Sequence, residues 1–563
     1  MSIHDDSVRR TRAFLGRELF LGRGKRAGML YYLTPDEYKS TSFYLLGAPG
    51  YGKSFYIEHL LREFGNVRIP ASLIDPHGDQ ARNYYQYLIR NPRLLRERKI
   101  LHFVPGAPAN TIGFNPFDCN LPEPAEVASF VLEAFMKVWG EKTFNETPRL
   151  ERILRAMFHM FAANKVPLTE AYQFLLVGNR AFREGLLAAV RDTRVHDNWL
   201  QIEVLPRSEK LDRFESSWNR LQRFLALPAV AELFAAAGRG LRFSEMLECG
   251  EVLVADLSGL RTKEAQSLVG TMMVNALYYA GKHWPKSRRK PRVVAIDEFP
   301  KFVTATVADS LDELRKFGVH LILAHQHLSQ LTPELQGALM GDAKIKVVFG
   351  GLSRDDAEIL ARELFTGEVR GDHIKHITRQ TKHRPVLTER DVETYSESST
   401  DGDSRSDGWS DGSTWGEQNA SSQSQTDEAV TNALSSGSSF GTSSGRSGAS
   451  GYSHSGTSGF SRSSQFVTEH EEFREESGRQ YWPLEEQWEK LIARLMNLDR
   501  REAIVKAFNR GAFDIETPDV QNLPVLRMKP RPRLKPRRET LCLPPAVQNQ
   551  SAASDGLPED FRE

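Results

Sequence analysis

Eight residues near the start of the sequence have the pattern of a phosphate-binding loop. They read Gly47, Ala48, Pro49, Gly50, Tyr51, Gly52, Lys53 and Ser54, which matches G-x-x-x-x-G-K-[ST]. The glycines let backbone N–H groups converge on phosphate oxygens, and a following helix adds the positive end of its dipole. We therefore predict that this loop binds ATP, with Lys53 on the β and γ phosphates and Ser54 on Mg²⁺.

A second chemical feature is an apolar run, 292–296, that ends in Asp297 and Glu298. At the end of a buried strand beside the phosphate loop, Asp297 is expected to hold Mg²⁺ through water. Glu298, one residue further out, is placed to orient or deprotonate the attacking water. Many strands leave a core through acidic residues, so the pair predicts ATP hydrolysis only in combination with the loop at 47–54.

Two further residues could complete such a site. Gln326 follows the apolar run 319–324, where a polar amide can sense the γ-phosphate; a hydrogen-bonded strand end is the alternative. Arg315, with Lys316 beside it, closes a helix-like stretch just before that run. It could act on the γ-phosphate of a neighbouring subunit, or simply offset the negative end of its helix. The residues alone leave both alternatives open.

The elements that must position these residues alternate between strand-like and helix-like patterns. Residues 41–46 are β-branched and aromatic, and residues 55–64 repeat apolar side chains at helical spacing. Further strand-like runs lie at 71–75, 100–104, 251–257, 292–296, 319–324 and 344–349. Several are apolar on both faces, as strands covered by helices should be. The sequence predicts an α/β P-loop fold with a mostly parallel central sheet, its first strand beginning at about Thr41.

Other segments interrupt this alternation. Residues 121–242 contain helix-like stretches only, and about half of residues 396–464 are Ser or Gly, too few of them apolar to form a core. The predicted divisions are 1–120 and 243–395 for the two parts of the main domain, 121–242 for an inserted all-helical domain, 396–470 for a disordered linker, 471–523 for a closing helix and strands, and 524–563 for a basic, proline-rich tail.

The charge balance excludes a general attraction to nucleic acid, because 74 basic residues face 73 acidic ones. Any such affinity must be local, and the two basic segments are 369–384 and 527–538. We interpret the first as a solvated loop in preference to a channel lining, whereas the second could equally lie along phosphates or be a solvated tail. The three cysteines are far apart, which argues against disulfides and structural zinc and favours the cytoplasm. No apolar run is long enough to cross a bilayer, so we expect no direct membrane insertion.

The ordered set of motifs resembles the RecA-like motors of the HerA/FtsK superfamily, and within it the coupling-protein ATPases of type IV secretion and conjugation. Besides the two phosphate motifs, the resemblance rests on residues 73–79 (LIDPHGD), 114–117 (FNPF), 252–258 (VLVADLS) and 314–326 (LRKFGVHLILAHQ). It covers roughly residues 15–395 and 478–520. Coupling proteins typically begin with transmembrane helices, and this sequence departs from them there.

This resemblance implies a ring, usually of six subunits, with ATP sites at the interfaces and DNA in a central channel. It implies that Gln326 is the family's glutamine sensor and that Arg315, with Lys316 as the fallback, acts in trans. Relaxase or secretion-system proteins are the implied partners, through which a cytoplasmic protein could also reach the inner membrane.

We therefore predict an ATP-driven DNA translocase, that is, a coupling ATPase of a conjugative or type IV secretion system. The nearest alternative is a HerA-like DNA-processing or defence ATPase that works with a nuclease partner. A nucleotide-gated assembly scaffold is a third, although Glu298 argues against it because a scaffold does not need to position water.

Overall fold

The computed structural model describes residues 18–25, 29–107, 112–140, 147–235, 240–401 and 454–520. These residues form two units, one comprising the described residues up to Arg370 and from Leu484 onward, the other comprising those within Gly371–Pro483. The strands are β1 (Leu19–Gly24), β2 (Leu30–Leu33), β3 (Phe43–Leu46), β4 (Ala71–Asp75), β5 (Ile100–Phe103), β6 (Val252–Asp256), β7 (Arg292–Asp297), β8 (Val319–His325), β9 (Ile345–Phe349), β10 (Ile374–Asp401), β11 (His454–Tyr481), β12 (Glu502–Ala507) and β13 (Phe513–Glu516).

Helices connect most of these strands. They are α1 (Pro35–Tyr38), α2 (Lys53–Asn66), α3 (Asp79–Arg90), α4 (Pro92–Glu97), α5 (Pro124–Trp139), α6 (Pro148–Asn164), α7 (Ala171–Leu175), α8 (Arg180–Leu187), α9 (Thr193–Glu203), α10 (Arg207–Leu225), α11 (Pro228–Phe234), α12 (Phe243–Cys249), α13 (Lys263–His283), α14 (Ala305–Asp309), α15 (Leu311–Lys316), α16 (Pro333–Asp342), α17 (Arg354–Leu364) and α18 (Leu484–Met496). Among the described residues, no helix combines the length and apolar composition needed to span a membrane.

The first unit is built on an 11-stranded sheet of order β2-β1-β13-β12-β9-β3-β8-β7-β4-β6-β5. Neighbours from β9 to β5 run parallel, whereas β12, β13, β1 and β2 add an antiparallel edge. Strands β3, β4 and β6 to β9 are buried along their whole length, because their side chains are covered on both faces. The predicted α/β fold with a mostly parallel sheet is confirmed.

The antiparallel edge includes two strands that the sequence pattern missed. Strand β1 pairs with β13 in a register that joins Arg23 to Glu516, and with β2 on its other side. The run LFLGRG is short and contains two glycines and an arginine, so it lacks the alternation that marks a strand. Its partner lies almost at the other end of the described chain, where no local pattern can reveal it.

The segment between β5 and β6 is helical, as its sequence suggests. The described residues of 121–242 contain helices and no strand, apart from an isolated β-bridge between Gly240 and Gly113. They pack through aromatic side chains, such as Trp199, which lies 5.0 Å from the Phe174 ring centroid. A fully buried ion pair joins Arg183 Nε to Glu203 Oε1 at 2.5 Å, and Arg183 also donates to the carbonyl of Phe174 at the end of α7. Those extra bonds satisfy a guanidinium that would otherwise be costly to bury.

The second unit is an antiparallel hairpin of β10 and β11, which pair from Ile374 with Tyr481 to Asp401 with His454. The two strands overlap the ends of the predicted linker over 396–470, at 396–401 and 454–470, whereas its central part, 402–453, lies outside the described residues. The basic segment 369–384 likewise enters β10 rather than a loop. Composition predicted disorder because few apolar residues are present, but backbone pairing across a hairpin does not require a core.

Candidate nucleotide site

The phosphate loop joins β3 to α2 at the carboxyl ends of the parallel strands. Gly50 and Gly52 adopt φ angles of 84° and 105°, which L side chains rarely tolerate. At Gly47 the constraint is space, since a Cβ atom there would lie 2.4 Å from the Cβ of Phe349. The glycines of the pattern are thus required by this backbone. The loop's open N–H groups at the start of α2 suit the chemistry of a phosphate group.

Two other segments brace this loop. The Tyr51 ring lies against the glycine pair that follows β9, where a Cβ on Gly351 would approach the ring to 2.4 Å. From the other side, the Arg501 N–H donates to the Tyr51 carbonyl at 2.9 Å. Neither support was predicted from the sequence. The Gly350-Gly351 pair directly after an apolar strand was the available cue, whereas nothing local marks Arg501.

Lys53 is the one charged residue in the loop sequence 47–54, and it is buried, with 6% of its surface exposed. Its Nζ donates to the carbonyl of His325 at 2.8 Å and lies 3.7 Å from Glu298 Oε1. Burial lowers the pKa of Lys53, and the nearby carboxylates of Asp297 and Glu298 oppose that shift. The ammonium group is therefore held between acidic side chains at a site that can also accept phosphate oxygens.

Asp297 is the last residue of β7, and Glu298 follows it, next to Lys53. Each of the two acids has 3% of its surface exposed. Burial raises the pKa of Asp297 to about 6, with Lys53 acting in the opposite direction. Glu298 has a φ of 51°, an unusual backbone for a residue other than glycine and one often found at functional sites. Because the parallel strands β7 and β8 pair Asp297 with Ala324, the residues that follow the two strands lie side by side, and Gln326 is close to Glu298. Its Nε2 donates to Glu298 Oε1 at 2.5 Å.

A residue that sequence reasoning missed, Gln80, contacts the same cluster. Its Nε2 donates to Asp297 Oδ2 at 2.5 Å, and its Oε1 is buried without a hydrogen-bond partner among the residues that the structure describes. Gln80 is held there by Asp75 at the end of β4, which accepts from the backbone N–H groups of His77 and Ala81 at 2.8 and 3.0 Å. Since buried acceptors normally have donors, we expect the Gln80 oxygen to accept from water at the site. The cue was its place directly after the LIDPHGD motif.

Replacing Gln80 with leucine should raise the Mg²⁺ concentration needed for half-maximal ATP hydrolysis by about 10- to 100-fold, the usual effect of removing a partner of a metal-binding carboxylate. The measurement is the hydrolysis rate across a Mg²⁺ titration. Gln86→Leu, on the same helix α3, is the matched control and should leave the Mg²⁺ dependence unchanged. Equal titration curves for Gln80→Leu and the native chain would contradict the assignment.

His325 forms a buried network behind Lys53. The Tyr44 hydroxyl lies 2.7 Å from His325 Nε2, and His325 Nδ1 lies 3.0 Å from the His327 carbonyl. Burial lowers the pKa of His325 to about 4, so the ring is neutral near pH 7. Nδ1–H then donates to the carbonyl and Nε2 accepts from Tyr44. These two hydrogen bonds hold His325 in position, and with it the backbone carbonyl that accepts the hydrogen bond from Lys53 Nζ.

Replacing Tyr44 with phenylalanine should lower the free energy of unfolding by about 1–3 kcal/mol, because His325 Nε2 would remain buried without a donor. Chemical denaturation measures this change. Tyr56→Phe is the matched control, since the Tyr56 hydroxyl is also buried but has no hydrogen-bond partner in the described part of the chain. This change should be close to neutral for stability. If both variants lose the same stability, the Tyr44 bond contributes nothing specific.

The remaining predicted residues lie in different places. Ser54 is the second residue of α2 and is half-buried beside Lys53 in sequence. Arg315 is not part of the cluster, because α15 precedes β8 at the amino ends of the parallel strands, the edge opposite the phosphate loop. There its Nη1 donates to the Ser40 carbonyl at 3.3 Å. Arg315 therefore cannot serve the nucleotide site of its own subunit.

The donor set also fits the predicted metal. The described residues contain no group of three or more His, Cys, Asp or Glu side chains that could hold a metal ion by themselves. Mg²⁺ bound with a nucleotide does not need one, because it is usually held by one or two protein groups together with phosphates and water. Ser54 and Asp297 remain the predicted Mg²⁺ residues.

Comparisons with known proteins found matches among solved structures. No family model and no curated protein matches the chain. The bacterial conjugative coupling protein TrwBdeltaN70, in an unbound form, matches with a TM-score of 0.47 and 16% identity over 89% of this chain and 90% of that one. Plasmid coupling protein TrwB in complex with ADP and Mg²⁺ matches with a TM-score of 0.47 and 14% identity, over 91% of this chain and 93% of that one. VirB4 of Thermoanaerobacter pseudethanolicus matches with a TM-score of 0.42 and 17% identity, over 62% of this chain and 88% of that one.

Proposed function

We propose that this chain hydrolyses ATP with Mg²⁺ as a subunit of a ring motor that moves DNA, a coupling ATPase of a conjugative or type IV secretion system. The observation that carries the ATPase part is the meeting of Lys53, Glu298 and Gln326 at one edge of the sheet. A binding loop alone would support nucleotide binding. The acid beside it, aligned by an amide, supports hydrolysis.

The residues divide the work as follows. Bound ATP and Mg²⁺ supply the phosphoryl group to be transferred and the metal charge that polarises it. The loop at 47–54 holds the phosphates, with Lys53 neutralising their charge. Ser54 and Asp297 hold Mg²⁺, and Gln80 orients the Asp297 carboxylate. Glu298 takes the proton of the attacking water, while the side-chain amide of Gln326 holds Glu298 Oε1 in place.

Gln326 is also the residue proposed to report the state of the site to the rest of the fold. Its backbone N–H, like that of His327, donates to Gln330 Oε1, at 3.0 and 3.1 Å. Gln330 closes the turn that leads to α16. A change in the Gln326 to Glu298 bond on loss of the γ-phosphate would therefore be felt by this turn and by the helix after it.

The ring and its DNA substrate rest on the motif resemblance, with relaxase or secretion-system proteins as the partners it implies. The position of Arg315 on the edge opposite its own site agrees with a role in trans. We propose that it acts on the γ-phosphate held by an adjacent subunit. In the alternative, Arg315 only supports its own subunit through the Ser40 carbonyl.

DNA should raise the ATPase rate of the purified chain at moderate salt. Mixing Arg315→Ala chains with Lys53→Ala chains, each inactive alone, should restore part of that rate, because some interfaces then combine an intact Lys53 with an intact Arg315. Steady-state phosphate release measures both effects. A rate that DNA leaves unchanged at every salt concentration would contradict the translocase, and inactive mixtures would leave Arg315 with a structural role in its own subunit.

A further inference from the structure

The β10–β11 hairpin presents two long unpaired sheet edges. Each strand has 28 residues, which corresponds to a ribbon of about 90 Å at roughly 3.3 Å per residue. Among the described residues, neither strand pairs with any strand except the other. Two-stranded sheets are marginally stable in water, and an open edge is a template for another strand. Pairing with additional strands at its two edges would therefore stabilise a ribbon of this length.

Large apolar side chains on the ribbon are also exposed. Leu387 and Phe466 each have 68% of their surface exposed, and Tyr395 has 80%. The register pairs Leu387 with Thr468 and Glu389 with Phe466, so Leu387 and Phe466 are diagonal neighbours on one face, and Tyr395 shares that face by its spacing of eight from Leu387. In a wider sheet, the same face of an adjacent ribbon would cover part of this apolar surface.

The two edges carry opposite charge at the same level. Residues 374–384 of β10 include four Lys or Arg and no acid, whereas residues 469–476 of β11 include five Glu and one Arg. The register places these stretches opposite each other, and within the ribbon Arg384 pairs with Glu471 at 2.8 Å and Lys382 with Glu475 at 2.6 Å. The outer edge of β10 is thus basic at the level where the outer edge of β11 is acidic.

From these observations we propose that β10 of one copy pairs with β11 of the next copy, so that the hairpins form one continuous sheet around the ring. The inference rests on the ring of the proposed function and adds to it a subunit contact outside the nucleotide sites. Hairpins related by rotation about a ring axis point the same way, so a contact between β11 and the neighbour's β10 is antiparallel, as within one hairpin. It repeats the pairing of basic with acidic stretches at each interface.

The same pattern disfavours other contacts. A contact of β10 with β10, which would require an arrangement other than this ring, would place Lys and Arg side chains beside each other, which is destabilising. Edge lysines generally discourage pairing with unrelated strands, and an acidic partner strand removes that penalty. Pro385 lacks an N–H group, so the ladder between two copies loses at most one hydrogen bond at that position.

Disulfide formation between separate chains tests the contact. One full-length chain carries Thr388→Cys on β10, and a second carries one introduced cysteine at one position from 465 to 472 on β11. Cys249 and Cys542 are changed to serine in both, and Cys119 is kept because it is buried. The two chains are co-expressed, oxidised with ATP analogue and DNA present, and examined for the mixed dimer. Its yield should rise and fall with a two-residue period along β11, because only alternate residues face the same side as position 388. Thr388→Cys chains alone are the control and should form no dimer.

The outcomes separate the hairpin contact from the ring. If mass measurement shows the oligomer but the mixed-dimer yield has no two-residue period, or the control dimerises equally well, the hairpin contact is wrong and the ring stands. If no oligomer forms under any nucleotide or DNA condition, the ring of the proposed function is wrong, and the contact with it.

A charge exchange gives an independent test that preserves each hairpin. A chain with Arg384→Glu, Glu471→Arg, Lys382→Glu and Glu475→Lys keeps its internal ion pairs with their signs reversed. Co-expressed with the native chain under a different tag, it should assemble with itself, and mixed assemblies should fall at least tenfold below the statistical share, since each mixed interface opposes like charges. Statistical mixing of the two chains would overturn the proposal.

Discussion

A chain with Glu298→Gln is expected to bind ATP normally and to hydrolyse it about 10²- to 10⁴-fold more slowly, the usual contribution of a general base. The amide at position 298 keeps an oxygen that can accept the 2.5 Å bond from Gln326 Nε2, so the geometry is preserved. It cannot take a proton from water. Single-turnover hydrolysis and equilibrium binding of a fluorescent ATP analogue measure the two effects separately.

A matched control for this substitution is Glu251→Gln, immediately before β6, where the carboxylate pairs with Lys99 at 2.8 Å. This change makes the same chemical replacement away from the site and should leave the rate within about twofold of the native value, as surface changes usually do. If Glu298→Gln also retains a rate within about tenfold of the native chain, Glu298 is not the base.

A chain with Lys53→Ala is expected to lose ATP binding. Removing one member of a buried charge pair costs about 2–5 kcal/mol, or roughly 30- to 5,000-fold in affinity. Two interactions are lost together, because Lys53 is the cation that contacts the phosphates and also the cation beside the buried carboxylates of Asp297 and Glu298. The pKa of Asp297, already raised by burial, should rise further without Lys53. Calorimetric titration with ATP and Mg²⁺ measures the affinity.

Lys346→Met provides the comparison for Lys53. Lys346 is also a buried lysine, on the neighbouring strand β9, and pairs with Glu363 at 2.8 Å. Its replacement tests whether any buried lysine of this sheet would have the same effect on the nucleotide. ATP affinity within about twofold of the native chain is expected for Lys346→Met. Equal losses for the two variants would show a general loss of folding instead of a lost phosphate contact.

The chemistry of the site is readable in the sequence where a residue lies in a local pattern. The loop at 47–54 lies between a strand and a helix, as predicted, and the structure brings Lys53, Asp297, Glu298 and Gln326 together. The parallel order of β3, β8 and β7 explains this, since the carboxyl ends of parallel strands share one edge. The roles of these residues stay predictions until they are tested by substitution.

What the sequence could not provide are contacts between distant segments. Gln80 meets Asp297 across 217 positions, and the Tyr44 hydroxyl reaches His325 across 281. Nothing in the local pattern of either pair indicates the contact, because it arises only from the order of strands in the sheet. The hairpin was missed for another reason, since composition measures the capacity for a core and not the capacity for backbone pairing.

The pairing of β1 with β13 also affects the order in which the protein can mature during synthesis. The apolar strand Leu19–Gly24 leaves the ribosome early, but its partner Phe513–Glu516 appears only after nearly all the described chain has been made. At about 5–20 residues per second, that delay is on the order of tens of seconds. Until then β1 exposes one edge, and Tyr51 has no contact with Arg501. The Tyr51 carbonyl therefore gains its donor, the Arg501 N–H, only after residue 501 has been synthesised.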